Sequence, residues 1–471
     1  MIIAVVGSGG KTTRIHMLCD QYVSQGKKVL ITTTTHMLAE KETIFAESLD
    51  EIKSQLNETG WCMAGSHIPK SSKMGPLPEP LFRAAAKIAD VILVEADGSR
   101  GLPVKYPASY EPVIPDQTDE IHVVVGLSAL EKTCGEAAHR KELVLSCLSI
   151  QENDPLKPEY LQKLVTEGYQ KPLKQQFPKA VVKICPGQVN TLYEKVIARF
   201  LQEEKDVSLI QKEWFSSQPK LVIFGAGHVA NQLLKLAKFL DFYTVVLDDR
   251  EEFANKDRLL EADEVHCCDF EHCEECLPEG DGHYYVVVTR GHAADEICVK
   301  KVLQRSYAYL GMIGSKKKVA ATFESLKKQG FSKETINQIH APIGLSIGAR
   351  TPEEIAVSIA AELIQIKNQG TVSTMTKELS ETNENGTLCI ITQKHGSSPR
   401  GVGSMMLVGS EKIIGSIGGG VLEKEVIETA PQIQKIKEIE YSLSNEESAK
   451  LGMICGGANR ILFVPVSSQS F

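Results

Sequence analysis

A run of Ile and Val that breaks directly into a lysine-bearing glycine turn constrains this chain more than any other feature. Ile2-Ile3-Ala4-Val5-Val6 has the composition and length of a short buried strand. Gly7-Ser8-Gly9-Gly10-Lys11-Thr12-Thr13 follows at once, and residues 12–25 then carry Ile15, Leu18, Cys19 and Tyr22 on one helical face. A strand, a glycine turn and a helix in that order bring backbone N–H groups and the positive helix terminus around a polyphosphate. In this reading Gly7, Ser8, Gly9, Gly10 and Thr13 surround the phosphates of ATP or GTP. Lys11 reaches the terminal phosphates and Thr12 ligates Mg²⁺. The competing reading is a turn that merely tightens the corner, and it leaves Lys-Thr-Thr directly after the glycines without a reason.

The loop is shorter than the full G-x-x-x-x-G-K-[ST] pattern, because Val5 stands five residues before Gly10. It is similar in this to the loops of the amide ligases that build the bacterial cell wall. Further apolar runs at 28–33, 91–95 and 121–125 alternate with helical stretches, which predicts a mainly parallel sheet covered on both faces. This P-loop-type unit is expected over residues 1–205, with 150–205 helical. Val94-Glu95-Ala96-Asp97 closes the third strand with carboxylates at i and i+2. Such side chains leave a strand on one face, so Glu95 and Asp97 join Thr12 as candidate metal ligands. The alternative for the pair is a solvated strand end. Thr32–Thr35 and His36 end the second strand beside this site, either serving the nucleotide or only supplying β-branched strand residues.

A second strand-turn-helix opens at Leu221-Val222-Ile223-Phe224 with Gly225-Ala226-Gly227-His228-Val229-Ala230, the G-x-G-x-x-[GA] form. Asp248 and Asp249 end the next strand at about the distance from which an acid meets a ribose hydroxyl. Strands at 245–247, 285–288 and 309–313 and an Ala-rich helix at 353–367 complete a Rossmann-type doubly wound unit, 218–370. A polar segment, 371–386, leads to residues 387–471, where short β-like runs are broken by glycine turns. That last piece is expected to be a small β-rich or α+β unit, giving an α/β protein overall.

The formal net charge of −8 excludes a polycationic surface for nucleic acid. The start of the chain has no basic n-region or long apolar stretch, so neither a signal peptide nor a membrane partner is expected. Twelve cysteines scattered through a long chain are then read as reduced thiols, and the compartment as cytoplasmic. Cys268, Cys273 and Cys276, with His266 and His272, supply only one paired-ligand turn where structural zinc usually has two.

The glycine turns and acids extend into a longer ordered set of motifs. Phe224-Gly225-Ala226-Gly227-His228, Asp248-Asp249-Arg250, Thr289-Arg290-Gly291-His292 with Asp295, Gly314-Ser315-Lys316, Ala341-Pro342-Ile343-Gly344 and Thr351-Pro352-Glu353-Glu354 follow one another. This order resembles the XdhC/CoxI family, accessory factors of xanthine dehydrogenase-type molybdenum hydroxylases. Gly396-Ser397-Ser398-Pro399-Arg400, Gly418-Gly419-Gly420 with Glu423, and Gly452-Met453-Ile454-Cys455-Gly456 resemble that family's other half. In the family that half normally comes first, whereas here it comes last. Residues 1 to about 200 resemble the YqeC-type accessory proteins of selenium-dependent molybdenum hydroxylases. The carrying motifs are Gly-Gly-Lys-Thr-Thr, Glu95-Ala96-Asp97-Gly98-Ser99-Arg100-Gly101 and Glu111-Pro112-Val113-Ile114-Pro115.

The resemblance implies handling of the molybdenum cofactor, molybdopterin: binding it, assisting its sulfuration or selenation, and passing it to a client hydroxylase. A sulfur or selenium donor protein is the second implied partner. Gly225, Ala226, Gly227, His228, Asp248, Asp249, Arg290, His292, Gly314 and Ser315 are the candidate cofactor-binding residues, and Cys455 and Glu423 the candidate catalytic ones. Cys455, between glycines, would be a ligand or sulfur carrier, or else an ordinary half-buried thiol. NTPase activity of the first unit, NAD(P) in the second and a homo-oligomer stay open. So do two other classes: an NAD(P)-dependent oxidoreductase fused to a P-loop NTPase, and a non-catalytic scaffold.

Overall fold

The computed structural model describes residues 1–215, 219–278, 282–367, 375–396, 400–443 and 457–467. The first sheet has nine strands. Its main path runs Val181–Gly187, Glu120–Gly126, Ile2–Gly7, Val91–Glu95, Val29–Thr33 and Trp61–His67, all parallel. Lys73–Gly75 and Met37–Leu38 extend that edge antiparallel. The four central strands are those legible in the sequence, because each is a β-branched run buried on both faces. Residues 150–205 are not wholly helical: Val181–Gly187 is the flanking strand, exposed at Val181 and Lys183 and buried from Ile184 to Pro186, at the edge of the sheet.

The second sheet orders Glu264–Cys267, Tyr243–Asp248, Lys220–Phe224, Tyr284–Val287 and Tyr309–Met312, all parallel. The helices His228–Phe239 and Pro352–Lys367 pack on one face through Leu233, Leu234, Ile359 and Leu363. The helices His292–Leu303 and Lys316–Lys328 cover the other through Cys298, Val299, Val319 and Leu326. This is the doubly wound arrangement, with its reversal point beside the strand that carries Gly225.

The third sheet is antiparallel: Ile413–Gly415, Met405–Gly409, Gly386–Gly396, Gly457–Val466 and Lys437–Leu443. Side chains alternate along its central strand. Cys389 and Ile391 face the helix Gly420–Thr429 through Leu422 and Val426. Leu388 and Ile390 face the other way, into the core that also holds Phe200, Leu201, Trp214 and Phe215. Polar contacts reinforce this junction: Arg199 donates to the Gln434 carbonyl at 2.5 Å and the Ile436 N–H to Glu203 at 2.9 Å. The C-terminal sheet therefore packs on the N-terminal unit, and the two apolar clusters of the Rossmann unit contain none of its residues. Among the described residues no helix is long and apolar enough to cross a membrane.

Candidate functional site

The turn after Ile2–Gly7 is held by its neighbours in the sheet. Gly7 and Gly9 have φ of 88° and 81°, the left-handed region open to glycine. A Cβ at Gly7 would lie 2.1 Å from the Val124 carbonyl oxygen, and one at Gly9 would lie 2.4 Å from the Gly126 Cα. The Ser8 N–H donates to Val124 at 2.9 Å, which fixes the loop over the strand Glu120–Gly126. Lys11 opens the helix Lys11–Ser24 and is only 5% exposed. Its ammonium donates to the Gly7 carbonyl at 3.0 Å and to the Ser99 hydroxyl at 2.9 Å. Burial lowers its pKa, opposed mainly by Glu95. Thr12 and Thr13 face solvent.

A cavity of about 1350 Å³ opens over this loop, lined among others by Gly9, Lys11, Thr12, Glu95, His36 and Arg140. Glu95 is 7% exposed, and its carboxylate has no hydrogen-bond or ion-pair partner among the described residues. Burial raises its pKa against the pull of Lys11. An unpartnered, nearly buried carboxylate that lines the same cavity as the solvent-facing Thr12 fits a divalent cation.

Asp97 is turned elsewhere. Its Oδ2 accepts the Gly7 N–H at 3.1 Å and the Tyr169 hydroxyl at 2.8 Å, while Oδ1 pairs with Lys105. Burial first, and then the Asp97 charge, push Tyr169 far above its ordinary pKa, so it stays a donor. Lys105, itself fully buried, also donates to Glu111 at 2.8 Å. Arg140 closes the chain with two bonds to Glu111 at 2.6 and 2.9 Å. Burial would raise the Glu111 pKa, but Lys105 and Arg140 outweigh it and hold it low. This network runs from beneath the glycine loop to the far cavity wall. Glu95 faces the cavity, and Asp97 braces the loop. Lys105, Tyr169 and Arg140 are missing from the sequence reading, since isolated charged and aromatic residues carry no spacing signal.

In the Rossmann unit, Gly225, Arg290 and Gly314 follow three adjacent parallel strands, so they share one rim of the sheet. Gly225 has φ of 100°, and the space above Gly227 is open. Asp248 is 1% exposed. It accepts the Ala226 N–H at 2.7 Å and holds Arg250 through Nε and Nη2, both at 2.9 Å. Burial opposes ionisation, but Arg250 and the amides win and lower its pKa. Asp248 thus clamps the glycine turn, and the exposed acid at the rim is Asp249. His228, Arg290, His292 and Ser315 are exposed on the same side of the unit's helix starts. Asp295, behind them, is buried between Thr289 and Lys318.

Glu423 holds the 418–420 turn together. Its Oε2 accepts from the Ser416 hydroxyl at 2.6 Å and from the Ile417 and Gly419 N–H groups at 3.0 Å. Cys455, Ser397, Ser398 and Pro399 lie outside the described residues. Burial first, and then Cys276, push the Cys268 thiol up to about 12, and burial pushes Cys273 up to about 11. Among the described residues no group of three His, Cys, Asp or Glu is arranged to hold a metal.

These features define an α/β protein that joins a lysine-bearing glycine loop on one parallel sheet to a Rossmann unit and a small antiparallel module. Three family models match separate segments of the chain. Residues 3–142 match the YqeC protein family, 221–363 the XdhC Rossmann domain, and 379–438 the XdhC and CoxI family. The chain is a fusion of a YqeC domain with XdhC/CoxI domains. It is 32% identical over 161 residues to protein YqeB of Escherichia coli (strain K12), covering 34% of this chain and 29% of that one. It is 34% identical over 146 residues to protein YqeC of the same organism, covering 30% and 57%. To a probable xanthine dehydrogenase component of Bacillus subtilis (strain 168) it is 29% identical over 155 residues, covering 32% and 44%. The chain spans less than two thirds of each of these relatives.

Proposed function

We propose that this chain is a cytoplasmic accessory factor that matures a molybdenum hydroxylase of the xanthine dehydrogenase kind. One observation carries the reading: a glycine loop with buried Lys11 and unpartnered Glu95 is built into the same chain as an XdhC Rossmann domain. The work divides over units 1–205, 218–370 and 387–471. The first binds ATP or GTP, with the loop N–H groups and Lys11 on the phosphates and Thr12 and Glu95 holding Mg²⁺. Bound Mg²⁺ would neutralise the phosphate charge there. Lys11 leaves its Gly7 and Ser99 partners to meet the terminal phosphate, while Asp97 keeps Gly7 in place.

The Rossmann rim takes the phosphate-bearing end of molybdopterin, with the backbone at Gly227 open to close approach and Arg290 and His292 offering donors. Cys455 is the thiol proposed for ligation or sulfur transfer, and Glu423 positions the turn before it. The client hydroxylase and a sulfur or selenium donor are the partners, with selenium suggested by the YqeC likeness. Co-expressing client hydroxylase with wild-type or Lys11→Ala protein tests the reading. Lys11→Ala is expected to lower client activation and to weaken triphosphate binding more than diphosphate binding. Equal affinities and full activation would remove the nucleotide from the function.

A further inference from the structure

A second cavity, about 450 Å³, shares Gly10, Thr13 and Gln188 with the large cavity over the glycine loop. Arg14, Pro186, Gln188, Asn190, Lys195 and Asn383 line it. A ligand whose phosphates lie on Gly9–Thr13 therefore has a continuous path into this space, and its size suits one heterocycle with its sugar. The chemistry of the lining is specific. Lys195 is 7% exposed, and its ammonium has no hydrogen-bond or ion-pair partner among the described residues. Its stem is buried while its ammonium, at the cavity wall, is available to an acceptor of a bound molecule. Arg14, the second cation, meets the imidazole of His122 at 3.4 Å and the Cys185 thiol, and burial lowers that imidazole's pKa to about 4 and raises that of the thiol, so both partners stay neutral. Gln188 uses its carbonyl oxygen on the Ser128 hydroxyl at 2.5 Å, which leaves its NH₂ to donate.

We propose that this cavity is the nucleoside subsite of the chain and that it selects guanine over adenine. The inference rests on the nucleotide reading given above. Lysine and arginine only donate. Guanine presents O6 and N7 as two adjacent acceptors on its Hoogsteen edge, where adenine places a donating amine beside N7. A donor-lined pocket pairs with the first and opposes the second. Asn383 belongs to the segment that leads into the C-terminal sheet, so the subsite is completed by a residue from outside the N-terminal unit.

Competition titrations on the full chain with Mg²⁺ test this, using GTP, ATP and inorganic tripolyphosphate as the three probes. GTP is expected to bind about tenfold more tightly than ATP, the usual worth of one charged hydrogen bond. Lys195→Met, which keeps the buried aliphatic stem, is expected to erase that preference and leave tripolyphosphate affinity unchanged. Asn383→Ala, at an exposed position, is expected to weaken both nucleotides and not tripolyphosphate. Equal GTP and ATP affinity in the wild type overturns the inference. So does a Lys195→Met variant that loses tripolyphosphate as strongly as GTP, because Lys195 is then a phosphate ligand. Tripolyphosphate binding without base preference refutes the subsite alone, whereas failure of all three probes to bind refutes the nucleotide reading beneath it.

Discussion

The buried Lys105 should be the most sensitive single charge in the N-terminal unit. Its side chain and that of Asp97 are fully inaccessible, and Glu111 is 8% exposed. Lys105→Met fills the same space but leaves two carboxylates without the cation between them. Removing one partner of a buried pair costs about 3–5 kcal/mol, most of it the stranded charge. Here the lower end applies: Asp97 keeps the Gly7 N–H and Tyr169 hydroxyl, and Glu111 keeps Arg140. At about 2–4 °C per kcal/mol for a unit of this size, a loss of about 3 kcal/mol lowers the first melting transition by roughly 6–12 °C. Thermal scans at neutral pH measure it. Lys141→Met is the control, since its pair with Glu152 is about half exposed and such surface pairs contribute little to stability. A Lys105→Met shift no larger than that of Lys141→Met would refute the assignment of Lys105 as the centre of the network.

Two further outcomes follow from the same region. Gly9→Ala forces a Cβ against the backbone of Gly126 and Pro103 at a left-handed φ, so it should abolish triphosphate binding and lower the melting temperature; unchanged binding in a titration would contradict the loop geometry. His122 is buried and its folded pKa of about 4 lies below the ordinary value near 6.5, so the unfolded chain binds its proton first. The stability it preserves is present above about pH 6.5 and is lost as pH falls toward 4, by at most about 3 kcal/mol. Urea titrations across that window should show the slope in wild type and a flatter one in His122→Gln; identical slopes would count against it.

What the sequence shows and what it hides divide along physical lines. Continuous β-branched runs ending at glycine turns announce central parallel strands, and all four in the first unit lie where their composition places them. Trp61–His67 has no β-branched residue, and Glu264–Cys267 is a half-buried edge, so neither stands out from its surroundings. The two-residue spacing of Glu95 and Asp97 suggests a shared face, yet the strand stops at Glu95 and the chain turns, which parts the two carboxylates. Asp248 is found at its motif distance, but its partner is Arg250 two residues on, a pairing that periodicity does not register. Lys195 and Asn383 reach one cavity from segments almost two hundred residues apart, and no local pattern links them.

The reversed order of the two XdhC/CoxI halves has a structural consequence for where a ligand can sit on the last module. One face of its sheet is covered by the helix Gly420–Thr429, and the other is buried against Phe200, Trp214 and their neighbours of the first unit. Gly403 is packed so tightly on the Trp214 ring that a Cβ there would come within 2.6 Å of it. With both faces filled, the two edge strands and the strand ends are the surfaces that remain among the described residues. At one of those ends Gly396 pairs with Gly457, and Leu443 pairs with Gly457 from the other side. The Gly396-Ser397-Ser398-Pro399-Arg400 motif and the Cys455-Gly456 motif adjoin that single pair in sequence. Two segments far apart in the chain are thus anchored at one end of one sheet by the pairing of Gly396 with Gly457.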